Sequence, residues 1–392
     1  MTTAFEAIET SDWKKLRLII DEGGFNLSQL NDEGMNPFHT ACSKANTPVD
    51  IIAKIIQINN GALSSLSRSR SLPIHYACET GSVTTVKLLL ECTQRNVRFY
   101  TRNLDINERT CLDRCWLKYL FSPCKSTKLS FKDQIYLKLN EMNEITSFKD
   151  LRQDLLDMWK KTRLVLFAAS KNSTDFEKMR GWNILPAIAR CGNYDTCWCP
   201  SLVMWFALRV NGNQIKWRDI EGNTILHIAA SSATHKRLYV PSLITKSINF
   251  DINLSVLEML AKTYPEAVNM RNKKKQLPLH LAIGSGKRLK DGISALTKIN
   301  PDIVNATDGK SGLMPFMLAA TNLELECSHY EMMMKEESLD LTYFLLQKNP
   351  LNASVEPIIQ SRRKRTMRPC VCKEQRKRWK RHKSRKCVQV SK

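Results

Sequence analysis

From Leu72 to Leu90 the chain reads LPIHYACETGSVTTVKLLL, with apolar side chains at helical spacing and a break in the middle. Pro73 suits a first helical position, where no backbone N–H is needed and a fixed φ is already helical. Ile74, Ala77 and Cys78 follow on one face. Gly81 is expected to stop this helix in the left-handed conformation. Val86, Leu89 and Leu90 then mark the stripe of a second helix. A pair of roughly 20 residues buries too little to stand alone, so it requires copies on either side.

The copies are present. Asn36–Cys42 reads NPFHTAC, Gln276–Ala282 reads QLPLHLA, and Thr224–Ala230 reads TILHIAA, with Ile225 in the proline place. His39 and His75 are 36 positions apart, and an alanine follows each histidine by two places at Ala41, Ala77, Ala229 and Ala282. Three weaker openings fall in the same series: Thr110–Asp113, Gly181–Pro186 with Ala189 behind it, and Met314–Met317 with Ala319 and Ala320. A glycine recurs three places before the proline position at Gly34, Gly181, Gly222 and Gly312. The pattern predicts seven openings and an amino-terminal half-unit.

These openings resemble the Thr-Pro-Leu-His-x-Ala start of ankyrin repeats, over about residues 1–350. The resemblance implies an all-α, ankyrin-type helical-repeat solenoid with short β-turn connections. It implies that His39, His75, His227 and His280 tie one turn to the next by hydrogen bonds rather than catalyse. It also implies that partners meet the turns and the concave helices.

The expected organisation follows from where the pattern breaks. Residues 1–30 read as a capping half-repeat, with a short helix around Phe5, Ala7 and Ile8 and a second over Trp13–Glu22, capped by Ser11 or Asp12. Residues 31–350 read as the array, interrupted near 121–148 and 231–253. The first interruption separates a helix over Leu112–Leu120 from a long one over Lys149–Ala169, and a further helix near Asp133–Met142 lacks caps. In the fourth unit Pro186 takes the histidine place, and Ser201–Arg209 is apolar enough for burial on more than one side. Gly286 matches the place of Gly81, Leu323–Glu337 reads as a loop, and Leu339–Leu346 as the last helix.

Charge adds one feature. Of the net +22, residues 361–392 carry +14, from fifteen Lys or Arg against the single acid Glu374, leaving +8 on the other 360 residues. With few apolar side chains, this tail is expected to be disordered. Its clusters are Arg362, Arg363, Lys364 and Arg365, then Arg376, Lys377, Arg378, Lys380 and Arg381 around Trp379. They resemble a bipartite nuclear-import signal, and would also attract nucleic-acid phosphates. On the array, Arg68 and Arg70 share one turn and Lys273, Lys274 and Lys275 another, a candidate edge for an acidic protein partner.

Cofactor and catalytic chemistry find little support. No phosphate loop, paired-carboxylate motif or nucleophile elbow occurs. Cys191, Cys197 and Cys199, and in the tail Cys370, Cys372 and Cys387, lack the paired spacing of structural zinc sites, so no metal is expected. The amino terminus has no secretory pattern, and the longest apolar run, Leu202–Leu208, falls short of the ~18 residues that span a bilayer. The chain is therefore expected to be intracellular, cytoplasmic or nuclear, monomeric, non-enzymatic and without a membrane span, with its thirteen cysteines reduced.

Overall fold

A computed structural model of the chain describes residues 3–93, 96–121, 131–145, 147–179, 181–190, 200–232, 254–322 and 331–348. The cysteine run 191–199, most of the second interruption and the basic tail lie outside these residues. The described residues fall within one compact unit, Met1–Asn349. They contain no strand, and their sheet-like pairing is an isolated antiparallel bridge between Arg218 and Thr224.

Helices alternate in two rows. The first row runs Ala4–Glu9, Pro37–Ser43, Pro73–Glu79 and Cys111–Phe121, each packed on the one before it. It resumes with Leu185–Ala189, Ile225–Ser231, Pro278–Gly284 and Pro315–Asn322. The second row runs Trp13–Asp21, Val49–Ile58, Val83–Cys92 and Gln153–Lys171, then Pro200–Val210, Val256–Thr263 and Ile293–Ile299. One buried apolar cluster extends from Ala4 to Leu345 along the seam between the rows. Its members come from every unit, as expected where no pair can bury its stripe alone.

Local sequence explains most boundaries. Asp12, Ser82 and Ser255 cap second-row helices by accepting the backbone N–H three places on. Gly23, at φ +75°, ends Trp13–Asp21. Single 3₁₀ turns at Asn60–Ser64, Gly212–Lys216, Pro265–Asn269 and Pro301–Asn305 lead from a second helix into the next turn. The interruption in the third unit contains the helix Phe131–Glu144, longer than the stretch its uncapped sequence suggested. Its Leu139 and Met142 are buried, and it packs on Cys111–Phe121. The last helix, Glu331–Lys348, begins inside the stretch read as loop. Its first seven residues, Glu331–Glu337, are all helix-forming Glu, Met or Lys.

Gly81 corrects an expectation. Its φ is not in the left-handed region, so it does not end the helix that way. It is there because a Cβ would lie 2.2 Å from the Cys42 carbonyl oxygen and 2.8 Å from the Ala77 Cα. Here adjacent first-row helices approach at backbone distance. Gly286, at the matching position, is left-handed at φ +74° with open space around it. The two glycines should therefore respond differently. Gly286→Ala is expected to cost about 1 kcal/mol of backbone strain. Gly81→Ala is expected to cost about 2–3 kcal/mol, because a neighbouring helix must move. Chemical denaturation of both variants measures the difference.

Buried lysines complete the helix ends. Lys161 Nζ donates to the Cys78 carbonyl at 3.2 Å, and Lys287 Nζ to the Ser232 carbonyl at 2.8 Å. Each places an ammonium at the C-terminus of a first-row helix in the preceding unit, where orphan carbonyls and the helix dipole favour it.

Candidate interaction surface

The turns that precede the first-row helices share one construction. A left-handed residue stands three places before the helix at Gly34, Arg70, Glu108, Gly222, Lys275 and Gly312, with φ between +56° and +74°. Gly181 (φ +74°) holds the same place before Leu185–Ala189, whose first turn starts one residue later. Four of the seven are glycine, for which this region carries no penalty. Arg70, Glu108 and Lys275 hold it with a Cβ, at about 1 kcal/mol or more each. Three places earlier a short polar side chain accepts the backbone N–H four residues on. Asn31 accepts from Met35, Asp105 from Arg109, Asp219 from Asn223 and Asn272 from Gln276, all at 2.8–2.9 Å. The sequence carried this signal as Asn or Asp six places before the helix, and the opening motif alone misses it.

Successive turns are bonded to each other. Arg68 N–H donates to the Gly34 carbonyl at 3.0 Å, Ile106 N–H to Ser69 at 2.9 Å, and Lys273 N–H to Glu221 at 2.9 Å. Arg271 Nη1 reaches the Thr307 carbonyl at 3.1 Å, and Gln276 Nε2 the buried Asp308 carboxylate at 2.8 Å.

The histidines add the second tie. Nδ1 accepts the backbone N–H three places back: Asn36 for His39, Leu72 for His75, Thr224 for His227 and Leu277 for His280. The ring proton therefore sits on Nε2, which faces a carbonyl of the following turn. His39 Nε2 donates towards Ser65 and Ser71 at 3.1 Å, His75 towards Asn103 at 3.1 Å, His227 towards Gln276 at 3.1 Å and His280 towards Ala306 at 2.7 Å. Burial disfavours the imidazolium in all four, and brings His39 and His75 down to about 4. These rings are structural, as the repeat pattern implied. In the third unit Asp113 replaces histidine and accepts the Thr110 N–H at 2.9 Å. In the fourth, Asn183 takes over the link, donating from Nδ2 to the Gln214 carbonyl at 3.3 Å.

This register decides where the singled-out cations stand. Arg68 and Lys273 both lie five places before their helices, and Arg70 and Lys275 three places before, all exposed. Lys274 is exposed too, and pairs with Glu221 at 3.5 Å. Asp32 and Lys310 share the register of Arg68 and Lys273, and so do two apolar residues that charge reading passed over. They are Ile106, 60% exposed, and Ile220, 85% exposed. Their sign in the sequence was an apolar residue in an otherwise polar turn. The tail cations Arg362–Arg365 and Arg376–Arg381 lie outside the described residues.

Paired turns, two helix rows and a buried histidine at four of the openings are the geometry of a known repeat, and residues 5–114 match the family model of ankyrin repeats (3 copies). The chain carries ankyrin repeats. No curated protein gives a significant match. Ankyrin repeats form protein–protein interaction domains, and the family is typically a non-enzymatic interaction module. Among the described residues no helix is long and apolar enough to cross a membrane, and no group of three or more His, Cys, Asp or Glu could hold a metal ion.

Proposed function

We propose that this ankyrin-repeat chain is a non-enzymatic scaffold that binds an acidic protein partner along the edge formed by its turns. One observation carries the reading. Arg68 and Lys273, and Arg70 and Lys275, occupy identical register positions on separate turns, so both pairs stand on the same edge. Ile106 and Ile220 add apolar contacts to that edge. A surface fixed by turn-to-turn bonds needs little ordering when it binds.

Two further readings belong with this one. The scaffold works as a monomer inside the cell, cytoplasmic or nuclear; Cys42, Cys78, Cys92, Cys111 and Cys115 are free thiols, in keeping with a reducing compartment. The alternative function is a nuclear or nucleic-acid-associated regulator whose basic tail binds an import receptor or a polyanion while the repeats recruit a partner. The +14 charge on residues 361–392 favours it.

Charge reversal tests the edge. Glu108 already holds a glutamate at the left-handed register position, so Arg70→Glu and Lys275→Glu fit the same backbone. Combined with Arg68→Glu and Lys273→Glu, they are expected to remove partners captured by proximity labelling with the full chain. Capture by the unaltered chain is expected to weaken as salt rises. A captured set that charge reversal leaves unchanged would refute the edge, and a tail deletion that leaves distribution unchanged would refute the alternative.

A further inference from the structure

The fourth unit departs from the repeat at the residue that in four other units ties one turn to the next. Pro186 stands five places after the left-handed residue of its turn, where His39, His75, His227 and His280 stand in theirs. A proline side chain cannot reach the next turn with a hydrogen bond. At this place the described residues surround a cleft of about 270 Å³. Trp182 and Trp217, from consecutive turns, line it together with Pro186, Lys171 and Arg190. Trp182 is held by an edge-to-face contact with Phe167 at 5.2 Å, and Trp217 is 39% exposed. Among the described residues, Lys171 and Arg190 form no ion pair and no acid lines the cleft.

We propose that this cleft binds an acidic polypeptide segment, with one apolar or aromatic side chain between the indoles and flanking carboxylates on Lys171 and Arg190. The volume is below the ~300–1,000 Å³ typical of small-molecule sites, and suits a single anchoring side chain. Charge sets the sign of the segment, because neither cation has an acid beside it among the described residues. The directional polar groups of Asn183 and Ser170 are already committed to the fold. Asn183 donates to Gln214 and accepts from Leu185, and Ser170 Oγ donates to Phe167. What remains is two indole rings and two positive charges, which suit an apolar or aromatic side chain beside carboxylates. The inference rests on the reading of the chain as a protein-binding scaffold, at a place separate from the basic turn edge.

The test uses the full chain, labelled with ¹⁵N. The probe is an acetylated, amidated pentapeptide with a central phenylalanine between Asp and Glu residues. Titration is expected to shift the indole N–H signals of Trp182 and Trp217. Affinity is expected to fall about tenfold when alanine replaces the peptide's phenylalanine, and about tenfold in Trp217→Ala. Lys171→Gln with Arg190→Gln is expected to abolish the salt dependence. Trp217 is partly exposed, so its truncation leaves the core intact; unchanged signals elsewhere would confirm folding. Binding that ignores these variants, or no shift at either indole, would overturn the proposal. So would a thymidine oligonucleotide that shifts both indoles when the peptide does not. If capture along the turn edge persists while the peptide fails, the cleft alone is wrong and the scaffold reading stands.

Discussion

Lowering the pH from 7 to 5 should destabilise the protein by about 2 kcal/mol for each of His39 and His75. The sign follows from the proton balance. In the unfolded chain an imidazole binds its proton near pH 6.5. In the folded chain burial holds both rings neutral down to about 4, with Arg114 adding to the effect at His75. Between these values the unfolded state binds more protons, so stability falls as pH falls. Below about 4 the folded rings protonate as well and the loss levels off. His227 and His280 are shifted the same way and add to it. Denaturant titrations at pH 7, 6 and 5 measure the slope. The double variant His39→Gln, His75→Gln is less stable at pH 7, since two inter-turn bonds are weakened, but should lose about 4 kcal/mol less between pH 7 and 5. An unaltered slope would mean that these rings are not the buried, neutral ties between turns.

Truncating Phe206 should cost about 3–5 kcal/mol, the range for removing a buried aromatic ring. Phe206 is fully buried and joins three helices. Its ring lies edge-on to Trp159 at 5.1 Å and to Trp116 at 5.9 Å, which bring in Gln153–Lys171 and Cys111–Phe121. Trp116 is fixed in turn by its Nε1–H, which donates to Thr162 Oγ1 at 3.0 Å. This cluster joins both helices of the third unit to the fourth, alongside the Phe167–Trp182 contact. In a repeat array stability is close to a sum of unit and neighbour contributions, so a weakened joint lets the two sides unfold separately. Phe206→Ala should therefore broaden the denaturation curve or split it, whereas Phe206→Leu should shift its midpoint by under about 1.5 kcal/mol. A Phe206→Ala curve that keeps its midpoint and width would show that the joint lies elsewhere.

Much of the repeat framework was legible because it is local. A proline, a histidine two places on and a glycine three places before it fix a helix start and its turn. All these residues lie within one opening, as at Gly34, Pro37 and His39. The histidine tie was legible only through the family resemblance, since its acceptors, such as Asn103 for His75, lie in the next unit. The left-handed Arg70, Glu108 and Lys275 were hidden because their residue types carry no such preference. Their register shows it once the units are aligned. Gly81 was misread for a related reason. Helix-ending glycine and close-approach glycine look alike in sequence, and only the Cys42 carbonyl on the neighbouring helix separates them. The cleft was least legible. Pro186 marked a departure, but Lys171, Arg190 and Trp217 meet it through long-range packing that periodicity does not report.

Amide hydrogen exchange at three turn residues tests the stacking of the units most directly. The Arg68, Ile106 and Lys273 side chains are exposed, yet their backbone N–H groups donate to Gly34, Ser69 and Glu221 of the preceding turns. No bond within their own turn would protect them. Stacked units should slow exchange at all three by about a hundredfold or more relative to the free chain. Exchange at the free-chain rate, with the helices still protected, would mean that the turns do not stack.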